Sequence, residues 1–203
     1  NTKADSTGTS YESGASYTPT ATTSTSLTMY AICTINTYYF DVNPDSGIAS
    51  FDVQVGSDAK LTNQTDYWQL KPYGTEGTID NIKLKPGYTY DGHTLSGSFT
   101  EVSGSTSDSI KIKLGAGNGG LGLNATPINY TISYNLNGGS NPGNPTTYNP
   151  DTASFTLKNP TRTGYTFTGW TGSNGSTAQT TVTIPQFSTG NRSYTANWKR
   201  NFT

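Results

Sequence analysis

Ser109-Ile110-Lys111-Ile112-Lys113-Leu114 is a strict two-residue alternation. In an extended chain successive side chains point to opposite faces. Ile110, Ile112 and Leu114 therefore share one face, and Lys111 and Lys113 share the other. Working outward, the same pattern recurs at Ser50-Phe51-Asp52-Val53-Gln54-Val55, Asn129-Tyr130-Thr131-Ile132-Ser133-Tyr134-Asn135-Leu136 and Thr180-Thr181-Val182-Thr183-Ile184. An earlier stretch, Ser26 to Ile32, behaves alike. The Tyr, Thr, Val and Ile content of these runs suits strands. Pro86-Gly87, Asn137-Gly138-Gly139, Thr163-Gly164 and Asn174-Gly175 punctuate these runs as turns. No segment carries a sustained helical period with caps. The fold class is mainly β.

Composition narrows the function. The chain has 203 residues, 12 Lys+Arg, 13 Asp+Glu and a net charge of -1. Its charged fraction of 12% is about half the usual share. The chain is thus polar without being charged, unlike highly charged disordered sequences. Its 14 Tyr, 7 Phe and 3 Trp supply core material. Without a Lys/Arg cluster, nothing points to nucleic acid. Without a run of about 18 apolar residues, nothing points to membrane insertion. One Cys, Cys33, excludes an internal disulfide and a Cys-based metal cluster. The Thr-, Ser-, Asn- and Gly-rich composition suits an exported bacterial protein. The sequence opens at Asn1 without a leader, as expected of a mature product or a fragment.

Four segments are expected. Residues 1–32 end in the strand around Leu27 to Ala31, whose setting parallels Thr189 to Trp198 near the C-terminus. This pairing predicts the C-terminal remnant of an upstream repeat. Residues 33–116 form a β-sandwich-like middle domain. Gly115 to Pro127 reads as flexible, giving a Gly-rich linker over 117–127. Residues 128–199 form the last unit.

That last unit opens with Tyr130-Thr131-Ile132-Ser133-Tyr134-Asn135-Leu136-Asn137-Gly138-Gly139. Its centre is Leu157-Lys158-Asn159-Pro160-Thr161-Arg162-Thr163-Gly164-Tyr165-Thr166-Phe167-Thr168-Gly169-Trp170, and Tyr194-Thr195-Ala196-Asn197-Trp198 closes it. The pattern resembles the Listeria–Bacteroides repeat, or internalin B-repeat, family of bacterial surface proteins. The resemblance implies a β-grasp-like unit that stands in tandem as a stalk, on some proteins contributing to adhesion. It implies an extracellular location at the cell surface or cell wall, and no shared catalytic residues. Residues ~10–32 resemble the tail of a second copy. The middle domain, through Tyr38 to Asn43, Asp66-Tyr67-Trp68 and Ile82 to Tyr90, resembles a β-domain that accompanies such repeats.

Three sets of residues invite chemistry. Tyr67, Trp68, Tyr73, Tyr88 and Tyr90 form an aromatic-rich set. Trp68 and Tyr73 sit beside turn residues and are the ligand-binding candidates, because amphipathic rings stack on sugars. In the last unit Tyr165, Phe167 and Trp198 read as core; Trp170 also reads first as core and, beside Gly169 and a polar loop, is a further ligand-binding candidate. Asp41, Asn43 and Asp45 place oxygens at alternate positions and could wrap calcium, though Pro44 departs from an EF-hand loop. The plainer reading is a hairpin turn between strands 37–43 and 49–55.

His93 reads as a turn residue that Asp91 could orient. No nucleophile is identifiable, and the spacing of Glu12, Glu76 and Glu101 shows no convergence, so an enzyme is not expected. Alternation puts Lys111 and Lys113 on the polar face, against an intramolecular Lys–Asn isopeptide bond. No cofactor is implied beyond calcium. The expected role is a stalk or spacer presenting an adhesive region, with neighbouring repeats as partners. The alternatives are a module binding glycans or host glycoproteins, and a surface fibre completed by strand addition.

Overall fold

The computed structural model describes residues 35–202. The Leu27 to Ala31 strand, Cys33, Glu12 and the expected remnant over 1–32 lie outside the described residues. The described residues are strands and loops, so the chain is mainly β. The described residues from Tyr38 onward belong to one compact unit that holds two hydrophobic cores.

The first core lies in a seven-stranded sheet. Its strands are β1 (Thr37–Pro44), β2 (Ile48–Val55), β3 (Leu61–Gln64), β4 (Tyr67–Pro72), β5 (Glu76–Leu84), β6 (Tyr88–Glu101) and β7 (Ser109–Pro127). The order is β3-β2-β5-β7-β1-β4, with β6 also beside β7. β7 is the hub. Its first part pairs antiparallel with β5, from Lys113 opposite Glu76 to Ser109 opposite Asp80. Its later part pairs parallel with β1, from Phe40 opposite Gly119 to Pro44 opposite Leu123.

β6 follows β7 through both parts, and the two bend together. Gly97 faces Gly119 whereas Phe99 faces Leu114, so residues 115–118 of β7 oppose Ser98 alone. Extra residues on one strand bend the ribbon. Gly97 takes φ +63, and a Cβ there would lie 2.2 Å from the Asn118 carbonyl oxygen. Only glycine fits that corner. The bend brings His93 Nε2 within 3.6 Å of Glu101 Oε1. Eight strand residues left straight would span about 26 Å.

The sheet therefore folds onto itself. Phe40 of β1 meets Phe99 of β6 with ring centroids 4.5 Å apart, and a Cβ on Gly77 of β5 would lie 2.3 Å from the Phe40 ring. Val42, Phe51, Val53, Ile79, Ile110, Ile112, Leu121 and Leu123 complete the core between the halves. Corner strands that pass between packed layers build a sandwich.

This arrangement corrects three expectations. The Gly-rich segment 117–127 is not a flexible linker but the second half of β7. Its Gly-Leu-Gly-Leu alternation buries Leu121 and Leu123 and leaves Gly120 and Gly122 on the outer face. Asp45 to Gly47 does not close a hairpin, since β1 pairs β7 and β4 while β2 pairs β3 and β5. His93 lies within β6 rather than in a turn, and its charged neighbour is Glu101, while Asp91 accepts a hydrogen bond from Thr126 Oγ1.

Two residues after β7, the chain enters β8 (Tyr130–Asn135). There follow β9 (Thr147–Tyr148), β10 (Phe155–Thr156), β11 (Tyr165–Gly172), β12 (Gly175–Gln179), β13 (Thr183–Ile184) and β14 (Arg192–Arg200). The second sheet has the order β12-β11-β14-β8-β9, and its first and last long strands, β8 and β14, pair parallel. Trp170 is the centre of its core, ringed by Tyr134, Phe167 and Tyr194 at centroid distances of 5.8, 5.4 and 6.3 Å.

Candidate functional site

Outward-facing side chains of the folded sheet build a shallow trench. β7 forms its floor from Asn118 to Gly120, where Gly119 and Gly120 contribute no side chains. β1 forms one wall with Tyr39, Asp41 and Asn43, and β6 the other with Ser96. The trench holds about 300 Å³. Tyr39 N donates to Asn118 Oδ1 at 3.0 Å, fixing one end. Asn43 Nδ2 donates to Asp41 Oδ2 at 2.8 Å, which orients both polar groups of that wall. Ser96 Oγ donates to the Gly120 carbonyl at 3.2 Å. Beyond Tyr39 stands Trp68 of β4, 63% exposed, its ring edge-on to the tyrosine with centroids 6.0 Å apart.

Strand phase decides which rings reach this face. Phe40 and Val42 point inward, so Tyr39 and Asp41 point out. Tyr67 is buried, so Trp68 is exposed. Of the aromatic set, Tyr67 and Tyr88 are core residues and Tyr90 is half-buried. Tyr73 is 66% exposed at the turn after β4 and is not among the residues lining the trench. Tyr39 was not anticipated. The signal available was its place two residues before Asp41, on the polar phase of a strand whose other phase is Phe40 and Val42.

The calcium set is divided. Asp41 and Asn43 bond each other, and Asp45 Oδ2 accepts from Ala125 N at 3.0 Å, tying the β1–β2 crossing to β7. Among the described residues no group of three or more His, Cys, Asp or Glu is placed to hold a metal. Elsewhere in this domain Asp52 is a buried carboxylate. The Asn63 backbone N–H holds its pKa below the usual value against the opposing cost of burial, helped by Asn81 and Lys60.

A larger cleft of about 670 Å³ lies in the second domain, lined by Gly138, Arg162, Tyr165, Phe167 and Trp198 among others. Two of its polar side chains are engaged within the domain. The Arg162 guanidinium stacks 3.7 Å from the Tyr165 ring centre, and Trp198 Nε1 donates to the Leu136 carbonyl at 3.0 Å. Trp170 is fully buried beneath these residues, which corrects its expectation as a ligand contact. The Asn137-Gly138-Gly139 turn admits Trp198, because a Cβ on Gly139 would lie 2.5 Å from its ring. Opening turn, central Trp170 and closing Trp198 thus form one packed unit. Residues 130–196 match the Listeria-Bacteroides repeat domain. No curated protein and no solved structure matches the chain. That repeat family is associated with bacterial surface proteins. No helix among the described residues is long and apolar enough to cross a membrane.

The repeat domain is joined tightly to the sandwich. Ile128 N donates to the Gly87 carbonyl at 2.8 Å, and Tyr88 Oη donates to Asp151. That hydrogen bond, with burial, raises the Tyr88 pKa. Gly87 itself lies against Pro150, Thr189 and Tyr130 of the repeat domain.

Proposed function

We propose that this chain is a non-enzymatic, load-bearing spacer of a bacterial surface protein, presenting an adhesive region at the cell surface or cell wall. One observation carries the proposal. In each domain the strand by which the chain enters and the strand by which it leaves lie side by side and parallel: β1 with β7, and β8 with β14. Tension pulls the two members of a parallel pair in opposite directions along their shared axis. Their hydrogen bonds are then loaded together in shear rather than broken one at a time. The two-residue junction, packed through Gly87 and Tyr88, transmits that load without slack. Neighbouring modules of the same protein are the natural partners at either end.

Single-molecule force spectroscopy tests this in a Cys33→Ser background. With handles at the two chain ends, two high-force ruptures are expected, one per domain. Moving the second handle to Phe187→Cys places both attachments at the same end of the β8–β14 pair, so the bonds unzip. The repeat domain should then yield at a clearly lower force while the sandwich keeps its own. Equal forces in the two geometries would remove the load-bearing reading.

A further inference from the structure

We propose that the trench over β7 binds an extended, neutral glycan chain. Its walls carry groups that recognise sugar: a carboxylate and an amide held in register (Asp41, Asn43), a hydroxyl (Ser96) and the ring of Tyr39. Trp68 does not line the trench but stands against Tyr39 and extends the aromatic surface beyond its end. Asn43 occupies one oxygen of Asp41 and leaves the other to accept from sugar hydroxyls. Amphipathic rings left exposed offer their faces to the apolar side of a pyranose.

Charge and backbone select among ligands. The lining residues include one carboxylate and no Lys, Arg or His, so uronate and sialate chains are repelled. An extended peptide draws its affinity from unpaired backbone groups at a sheet edge. The floor strand β7 is already paired on both sides, with β6 and with β1, and offers no such edge. Two strand spacings separate the walls, about 10 Å. That width accepts a single chain of sugar rings. The volume stands at the small end of the roughly 300–1,000 Å³ range of ligand clefts.

The glycine floor supplies a selective test. A Cβ on Gly120 would meet only the Ser96 Oγ, at 2.6 Å, a hydroxyl that can rotate away by giving up its 3.2 Å bond to the Gly120 carbonyl. Gly120 has ordinary strand geometry, so Gly120→Val fills the trench while suiting a strand. The full chain would be run by affinity electrophoresis through gels containing mixed-linkage β-glucan, xylan, galactomannan or polygalacturonate, and titrated with N-acetylglucosamine oligomers. Retardation by a neutral polysaccharide, or saturable binding of the oligomers, is expected. Trp68→Ala and Gly120→Val should each weaken it about tenfold or more, with melting temperatures unchanged for Trp68→Ala and close to the parent for Gly120→Val. Tyr39→Ala serves as a second wall variant should Gly120→Val fail to fold. Absence of binding to every neutral probe would overturn the proposal. So would binding to polygalacturonate alone, or binding that survives both the wall and the floor variants.

Discussion

Gly87→Ala tests the junction most directly, because the structure also provides its control. Gly87 and Gly92 both take left-handed backbone, with φ +84 and φ +88. An alanine at either position carries a backbone cost of about 1–2 kcal/mol. They differ in what a side chain would meet. At Gly92 nothing lies within 4 Å, whereas at Gly87 the new Cβ would lie 2.7 Å from Pro150 Cγ and 2.8 Å from Thr189 Cγ2. Ordinary carbon contacts need about 3.5–4 Å, so the repeat domain must retreat by roughly 1 Å. Overpacking of this kind costs about 1–3 kcal/mol. The retreat also loosens the Tyr88–Asp151 hydrogen bond beside it. For a chain of this size each kcal/mol lowers the melting temperature by about 2–4 °C. Gly87→Ala should therefore melt some 2–12 °C below Gly92→Ala, about 1–3 kcal/mol at that slope. Calorimetry reads the melting. Spin labels at Ser107→Cys and Ser176→Cys in the Cys33→Ser background read the junction. Their distance distribution should be narrow in the parent and in Gly92→Ala, and broad in Gly87→Ala. Matching melts and matching distributions for the two alanine variants would refute a packed junction.

Phe40→Ala should destabilise the sandwich by about 3–5 kcal/mol, since its ring fills the space that Gly77 leaves and packs on Phe99 and Tyr67; denaturant melts followed at the sandwich check it. Asp52, with its pKa lowered by the Asn63 N–H, binds its proton less readily folded than unfolded. Its contribution is full above the ordinary carboxylate pKa and is lost as pH falls through the lowered value, so Asp52→Asn should flatten the acid limb of a stability–pH curve. Burial pushes Tyr67 and Tyr134 up to about 12. Their contribution is full below the unfolded value of about 10 and is lost as pH rises through about 12; Tyr67→Phe should blunt the alkaline limb for the sandwich alone. Among the three tryptophans Trp68 is exposed and Trp170 fully buried, so Trp68→Phe should remove most of the fluorescence that acrylamide quenches.

What the sequence disclosed followed from period and failed where glycine had two meanings. Ile110, Ile112 and Leu114 are buried as their alternation requires, because a strand's phase is a local property. The same rule applied to Leu121 and Leu123 would have found the second half of β7. There, glycine on the opposite phase reads as chain flexibility, whereas Gly120 and Gly122 keep an outer face bare beside Ser96 and Thr94, and Gly119, on the inward phase, makes room for the Phe99 ring. The corner at Gly97 was beyond reach, since it depends on which residues of β7 oppose Ser98, a pairing set at long range. Trp170 illustrates the limit for sites. Its glycine and polar neighbours make it a ligand-binding candidate, but Tyr134, Phe167 and Tyr194 from β8, β11 and β14 pack around it and bury it. Trp68 was legible as a surface ring, while its neighbour Tyr39 comes from another strand, so the pair exists only in the fold.

The trench and the mechanical pair are the same strands seen from two sides, which yields a last prediction. Asp41 faces Gly120 and Asn43 faces Gly122 across the parallel β1–β7 ladder. Ser96 faces Gly120 from β6. A glycan seated on Gly120 and held by Asp41 and Ser96 therefore spans three strands, including both members of the pair that tension shears. Rupture must slide β1 past β7 and so must break the glycan's contacts on one wall or the other. A ligand that binds only the intact face stabilises it by RT ln(1 + [L]/Kd), about 2.7 kcal/mol at a hundredfold excess over Kd. Rupture of the sandwich should then require more force in the presence of the binding polysaccharide, while the repeat domain, whose clamp lies apart from the trench, should not change. Gly120→Val should abolish the increment without lowering the force of the free sandwich. An increment shared by both domains would mean that the glycan acts elsewhere, and no increment at saturation would mean that the bound chain does not bridge β1 and β7.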